Sequence, residues 1–386
     1  MKKGLCLLLT LLLALTAPFA AAEQTDLSQV DAEMDRYLKA YKAVGAAVVV
    51  AKNGEVVYTH NYGYGWVKGN EPITDDSFFK IASVTKMVSA IRVMQLVEEG
   101  KLSLDEDLST YLGYTVQNPW YKNTPVTLRM LMSHTGSFNA SGAYTNTEYE
   151  LQDFLNGKKR TSVFSKVRPG SKYTYSNFGA GIMGSLIEKV TGENVEQSLI
   201  DHVFTPLGIV ASCHAAHLPS EDSAVYQYKR TGSVAVSRKT LLGREWDDGV
   251  DPETHFRITI GTIWIRTMDL YRIAQLLCNG GELDGVRLLQ PETVAMMMAD
   301  QKGQGAVTAN TPYGLCVNRI DNLVEGELWY GHQGMANDTA CDVFFQPESD
   351  FVFVFCTNGM NNNMDDHIVK CARRLFGVAR DAFGDQ

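Results

Sequence analysis

The sequence predicts an α/β fold: an antiparallel sheet built from both chain ends, flanked by terminal helices, with a mostly helical lobe inserted between its halves. Three observations lead there. Strand-like runs around a turn occupy residues 46–65, strand-like runs return after residue 313, and helical spacing dominates the middle. The expected division is a leader at 1–22, a sheet lobe from 23–85 and 290–386, and a helical lobe from 86–289. The 364 residues beyond the leader exceed what one core usually fills.

The leader, MKKGLCLLLTLLLALTAPFAAAEQ, has two lysines, an apolar run short for a membrane span, and Ala20-Ala21-Ala22 as a small-residue cleavage site. It reads as a secretory signal cut after Ala22, so a secreted or otherwise extracytoplasmic protein is expected, in the periplasm or outside the cell. No second hydrophobic span follows, hence no integral membrane segment once the signal is removed. Without the leader the chain has 33 basic and 44 acidic residues, a formal charge of −11. That balance argues against nucleic acid and anionic membrane surfaces as partners.

Leu27, Val30, Met34, Leu38 and Tyr41 fall at helical spacing and predict an amphipathic first helix. AAVVVAKNGEVVYTHNYGYG follows, two apolar runs about Lys52-Asn53-Gly54, a hairpin signal. SFFKIA reads as a short strand. From Val84 through Val97 the chain is apolar nearly all round, with Gly100 placed to end it, which is the mark of a buried helix. TLRMLMSH, FGAGIMGSLIEKVTG, VEQSLIDHVF, DLYRIAQLLCNGG and PETVAMMM continue the helical middle. YGLCVNRI, ELWYGHQG and ACDVFFQPESDFVFVFCTNG restore the strand pattern, and a last helix is expected from about Asp365 to Arg380.

Six cysteines lie beyond the leader, at irregular spacing in a chain too long to need a disulfide framework. Cys341 and Cys356 flank the turn QPESD and would face each other across a hairpin, a geometry open to a bond. Cys213-His214-x-x-His217 has metal-like spacing but no complementary ligand pair, so a surface loop is preferred and neither metal nor cofactor is expected.

Ser-x-x-Lys occurs twice, at Ser77–Lys80 and Ser83–Lys86. Residues three apart share a face only on a helix, so the copy in the SFFKIA strand points its two side chains apart. Ser83 stands at the first turn of the buried helix with Lys86 one turn on. A lysine there can take the serine's proton if burial depresses its pKa, which makes Ser83 the candidate nucleophile and Lys86 its base. The segment alone equally suits Ser83 as a helix cap and Lys86 as a snorkelling side chain. Two later segments bear on the choice: Tyr175-Ser176-Asn177 between a Pro-Gly turn and a helix, and His332-Gln333-Gly334, expected to open a late strand.

With Ser-x-x-Lys, Tyr-x-Asn and His-x-Gly in that order, the chain resembles the penicillin-recognising serine hydrolases, the group of class C β-lactamases, serine D-alanyl-D-alanine carboxypeptidases and related esterases. FFKIASVTK, LVEEGKLSLDEDLSTYL, TLRMLMSHTG, PGSKYTYSN and NGGELDGVRLLQPETVAMM share in the resemblance, which spans almost the whole mature chain. It implies the β-lactamase/transpeptidase-like fold, an acyl-enzyme on Ser83, Lys86 as proton partner and Tyr175 as the phenol that shuttles a proton to the leaving group. Asn177, His332, Gln333 and Gly334 would bind substrate, with the backbone N–H groups of Ser83 and Met335 holding the oxyanion. His134-Thr135-Gly136 also spells His-x-Gly, but it follows a helix and precedes Tyr175, so a structural role is expected.

The chain departs from the class C β-lactamases, which usually have lysine at the His332 position and alanine at the Ser176 position. Gln333 stands where threonine or serine commonly helps hold a substrate carboxylate, and GTIWIRTMDL lacks the usual small-residue pattern. The expectation is therefore a D-alanyl-D-alanine carboxypeptidase-like hydrolase of cell-wall peptide, with an esterase or acyltransferase on small acyl substrates, or a β-lactamase, as alternatives. A catalytically silent penicillin-binding module is more remote, because it would not need all of Ser83, Lys86 and Tyr175. The expected partner is a small-molecule or peptide substrate, peptidoglycan-derived material among the candidates.

Overall fold

The computed structural model describes residues 25–384 apart from 221, 230, 245–247, 337–338 and 361–366. The expected leader at 1–22 lies outside the described residues. A seven-stranded antiparallel sheet is assembled from both ends of the chain. Its strands are β1 (Gly45–Lys52), β2 (Glu55–Trp66) and β3 (Glu71–Pro72) from the first end, and β7 (Asn318–Ile320), β8 (Trp329–Ala336), β9 (Thr339–Gln346) and β10 (Phe351–Thr357) from the second. The order β7-β8-β9-β10-β1-β2-β3 places β1 beside β10, joining the two ends of the sequence at the sheet's centre.

Both central strands are buried on both faces, which is why their sequences read as unbroken apolar runs rather than alternations. On one face Val48, Val50, Phe344 and Phe353 meet helices α1 (Leu27–Ala40) and α5 (His367–Phe383) through Val30, Met34, Leu38, Leu375 and Phe376. On the other, Ala47, Val49, Val343 and Val354 join the large core of the helical lobe, with α2 (Val84–Glu98) and α4 (Thr267–Cys278) against the sheet. Each fully buried Val or Phe here contributes roughly 1.5–3 kcal/mol. In α2 every residue from Val84 to Met94 is buried, which accounts for a helix apolar all round.

The SFFKIA strand exists as β4 (Phe78–Lys80), but outside the main sheet. It pairs with β6 (Trp264–Arg266), which also pairs with β5 (Ala211–Ser212), in a separate three-stranded sheet. The middle is thus less purely helical than its spacing suggests, because such short strands carry too few residues to show a period. TLRMLMSH is helical only over Leu128–Met132, and VEQSLIDHVF widens from an α-helix into a π turn at Ile200–Phe204. His332-Gln333-Gly334 sits within β8 rather than opening it, since Trp329 and Tyr330 already pair with β7.

Cys341 and Cys356 are opposite each other in the β9–β10 register, with their sulfurs 3.4 Å apart as free thiols. His217 Nδ1 donates to Glu196 Oε2 at 3.0 Å, and no cluster of three or more metal-ligating side chains occurs among the described residues. No described helix is long and apolar enough to cross a membrane.

Candidate active site

The turn into α2 creates the site. Ala82 adopts a left-handed conformation (φ +47°), which swings the chain from β4 into the helix and leaves Ser83 as the N-cap residue. A non-glycine residue in that region is strained, of order 1–3 kcal/mol, and persists where the surroundings hold it. Here the segment 260–263 does the holding. Ile81 N–H donates to Ile263 O at 3.0 Å, Ile263 N–H donates to Thr85 Oγ1 at 3.2 Å, and a Cβ on Gly261 would lie 3.2 Å from the Ala82 carbonyl carbon. The divergent segment GTIWIRTMDL is therefore the strap that fixes the start of α2. Its Trp264 is buried against Phe78, and its Arg266 is paired with Asp269 at 2.6 Å.

Ser83 makes no capping hydrogen bond with its side chain, so its hydroxyl remains available to Lys86. Lys86 Nζ donates to Ser83 Oγ at 3.0 Å and to the Ile260 carbonyl at 2.6 Å, and the whole side chain is buried. Burial brings the lysine down to about 7, because its charged form loses solvation. Ser77 instead serves the turn before β4, where its Oγ accepts the Thr74 N–H at 3.0 Å.

Tyr175 arrives on the loop before α3 (Asn177–Thr191), with Ser176 as that helix's N-cap accepting from Gly179 N–H at 3.2 Å. The Tyr175 ring centre lies 5.4 Å from Lys86 Nζ. Burial raises the phenol well above its usual range, while the neighbouring Ser83 hydroxyl works in the opposite direction. Asn177 stands one step into α3 with a buried Oδ1 that finds no partner among the described residues. A substrate N–H could satisfy it.

β8 forms the facing wall. β7 pairs only with Trp329–Gly331, so the outer edge of β8 from His332 onward is not covered by a described strand. A Cβ on Gly334 would fall 2.2 Å from Ile81 O and 3.1 Å from Ser83 N, so only glycine lets β8 approach the start of α2 this closely. That contact brings the backbone of Ser83 beside Gly334 and Met335, the neighbourhood in which two N–H groups could serve one oxyanion.

Two expected substrate-binding side chains are placed differently from the sequence-based expectation. His332 is buried, with Nδ1 donating to Gln333 O at 2.7 Å and Nε2 accepting from the Tyr313 hydroxyl. Burial and the nearby Lys86 lower its pKa to about 3, so the ring is neutral and both nitrogens are engaged. Gln333 lies across from Asp342 in the β8–β9 register and donates to its Oδ1 at 2.7 Å. Strand alternation puts that pair on the face opposite His332 and Val343, away from the cleft. Burial raises the Asp342 carboxyl to about 7. Residues read from a motif share a strand, and the pleat decides which of them reach the cleft.

Tyr313 is not legible as a site residue, because nothing in TPYGLCV distinguishes it from a turn aromatic. It is fully buried, and its ring packs 4.8 Å from His134 and 6.3 Å from Tyr175.

The fold thus brings together a serine at a helix N-terminus, a depressed lysine beside it and a phenol across from both. A family model described as Beta-lactamase matches residues 30–376, and the chain belongs to that family. It is 29% identical to esterase EstB of Burkholderia gladioli over 196 residues, which is 47% of this chain and 50% of that one. It is 27% identical to Protein flp of Staphylococcus aureus strain MW2 over 183 residues, 46% of this chain and 36% of the relative. The chain spans about half the length or less of these curated relatives. The octameric penicillin-binding protein homologue from Pyrococcus abyssi superposes with a TM-score of 0.72 at 19% identity, over 92% of this chain and 79% of that one, a likeness of fold.

Proposed function

We propose that the protein hydrolyses amide or ester bonds through an acyl-enzyme on Ser83. The observation that carries this reading is the 3.0 Å contact between Ser83 Oγ and a buried Lys86 whose pKa falls to about 7. Neutral Lys86 takes the Ser83 proton as Oγ attacks the substrate carbonyl. The Tyr175 hydroxyl then passes a proton to the leaving nitrogen or oxygen, and water resolves the ester by the same groups in reverse. The backbone N–H groups of Ser83 and Met335 hold the oxyanion, and Asn177 Oδ1 accepts from an amide of the acyl group.

On sequence, a D-alanyl-D-alanine carboxypeptidase ranks first and a small-acyl esterase second. The positions of His332 and Gln333 favour the second. A terminal carboxylate is best held by a cation or a free donor, whereas His332 is neutral with both nitrogens engaged and Gln333 is committed to Asp342. We therefore infer neutral acyl esters or amides as preferred substrates over peptides with a free carboxylate, in an exported protein as the N-terminal segment suggests.

Intact-mass measurement after a fluorophosphonate or a penicillin tests the nucleophile. One adduct is expected, on Ser83 and absent from Ser83→Ala; an adduct on Ser77, or one surviving that substitution, would sink the assignment. A matched neutral ester and D-alanyl peptide test the preference. A higher kcat/KM for the peptide would restore the carboxypeptidase reading.

A further inference from the structure

The His-x-Gly sequence that precedes Tyr175 has a place in the site. His134 is buried, at 3% exposure, in a left-handed conformation (φ +55°) immediately after the Leu128–Met132 helix. It grips the Tyr175 loop on both sides of that residue. Its carbonyl accepts the Thr174 N–H at 2.9 Å, and its Nδ1 accepts the Ser176 N–H at 3.2 Å. Between these two bonds the imidazole lies against the Tyr175 ring, with centres 4.3 Å apart. On its other flank it meets Tyr313 at 4.8 Å, which in turn is bonded to His332 on β8.

The tautomer follows from the bonds. Nδ1 accepts a backbone N–H and therefore has no proton, so the neutral ring carries its proton on Nε2. Burial, then the proximity of Lys86 and His332, keeps the ring from charging. Nε2 has no hydrogen-bond partner among the described residues. A buried donor without an acceptor is tolerated where aromatic faces border it, as Tyr175 and Tyr313 do here.

We infer that His134 is a positioning residue for Tyr175, fixing the phenol's loop by one acceptor on the ring and one on the backbone. It touches no reacting atom. The inference rests on Tyr175 acting in proton transfer, and it explains why the helical lobe uses an imidazole where glycine or asparagine would turn the chain with less strain. Since the hydroxyl must face both Ser83 and the leaving group, a displacement of about 1 Å would lower turnover on the order of 100-fold while leaving substrate binding largely intact.

The variants change the ring acceptor and leave the backbone carbonyl in place. His134→Asn keeps an acceptor near the Nδ1 position and tolerates positive φ, His134→Gln moves its amide one bond further out, and His134→Ala removes the acceptor. With a nitrophenyl ester, Ala and Gln should each lose on the order of 100-fold in kcat with KM within about threefold, whereas Asn should stay within about tenfold of wild type. Amide hydrogen exchange on the peptide covering residues 172–178 supplies a readout independent of activity. Exchange at Ser176 should accelerate in Ala and Gln and stay slow in Asn. The inference is overturned if Asn loses as much turnover as Ala, or if Ala leaves both kcat and Ser176 exchange at wild-type values. Failure of wild-type Ser83 to take a fluorophosphonate would instead refute the functional reading, with the exchange comparison still deciding what His134 holds.

Discussion

Replacing Lys86 with methionine should abolish activity and stabilise the protein, and the stabilisation should depend on pH in a stated direction. The native lysine titrates at about 7 against 10.5 for the free side chain. A difference of 3.5 units corresponds to roughly 5 kcal/mol. The sign follows from proton binding: between about pH 7 and 10.5 the unfolded chain holds a proton that the folded chain has released, so wild-type stability rises with pH across that window. At pH 7 the buried lysine therefore destabilises the fold by roughly 4 kcal/mol, shrinking to roughly 1 kcal/mol near pH 9.5. Methionine fills a similar volume without charge. It also abandons the Ile260 carbonyl, a loss of about 1–3 kcal/mol. The net expectation is a variant more stable by about 2 kcal/mol at pH 7 and equal to or less stable than wild type at pH 9.5. Urea unfolding at the two pH values measures this, alongside a kcat reduced by about 10²–10⁴ or more. A methionine variant less stable at pH 7, or a stability difference unchanged between the two pH values, would refute the claim that a buried, depressed lysine is held there for chemistry.

Activity itself should follow the same group. kcat/KM should climb about tenfold per pH unit below 7 and flatten above it, as Lys86 must be neutral to accept a proton, and with His332 neutral down to about 3 and Tyr175 raised by burial no falling limb is expected below pH 9; a profile flat from pH 5 to 7 would exclude Lys86 as the base. Gln333→Thr should leave the ester-to-peptide ratio of kcat/KM unchanged and destabilise by about 1–3 kcal/mol, since it strips Asp342 of its amide donor; a shift toward carboxylate substrates would show that Gln333 reaches the cleft. Asp342→Asn should stabilise by up to roughly 4 kcal/mol at pH 8 and by little at pH 4. The carboxyl, ordinarily at 3.8 and raised by burial to about 7, keeps its proton in the folded chain while the unfolded chain releases it, so wild-type stability falls across that window. Equal gains at the two pH values would refute that titration.

Much of this protein is local in its chemistry and therefore legible as sequence. The hairpin at Lys52-Asn53-Gly54, the all-round apolar helix from Val84 and the different local conformations of Ser83–Lys86 and Ser77–Lys80 each follow from period and turn residues within a few positions. The three motifs in order point to the serine-hydrolase family through resemblance. What sequence could not decide is which side chains meet, because that depends on pleat, register and lobe docking. Two neighbours in one motif, His332 and Gln333, emerge on opposite faces of β8, and each finds a partner, Tyr313 or Asp342, that lies 9 to 19 residues away. His134, 42 residues before Ser176, becomes a clamp on the Tyr175 loop only because the helical lobe folds that turn against it. The depressed pKa of Lys86 is likewise a property of burial in the assembled lobes, since the order of residues fixes a lysine one turn from a serine and only the packed structure removes the water that would keep it charged.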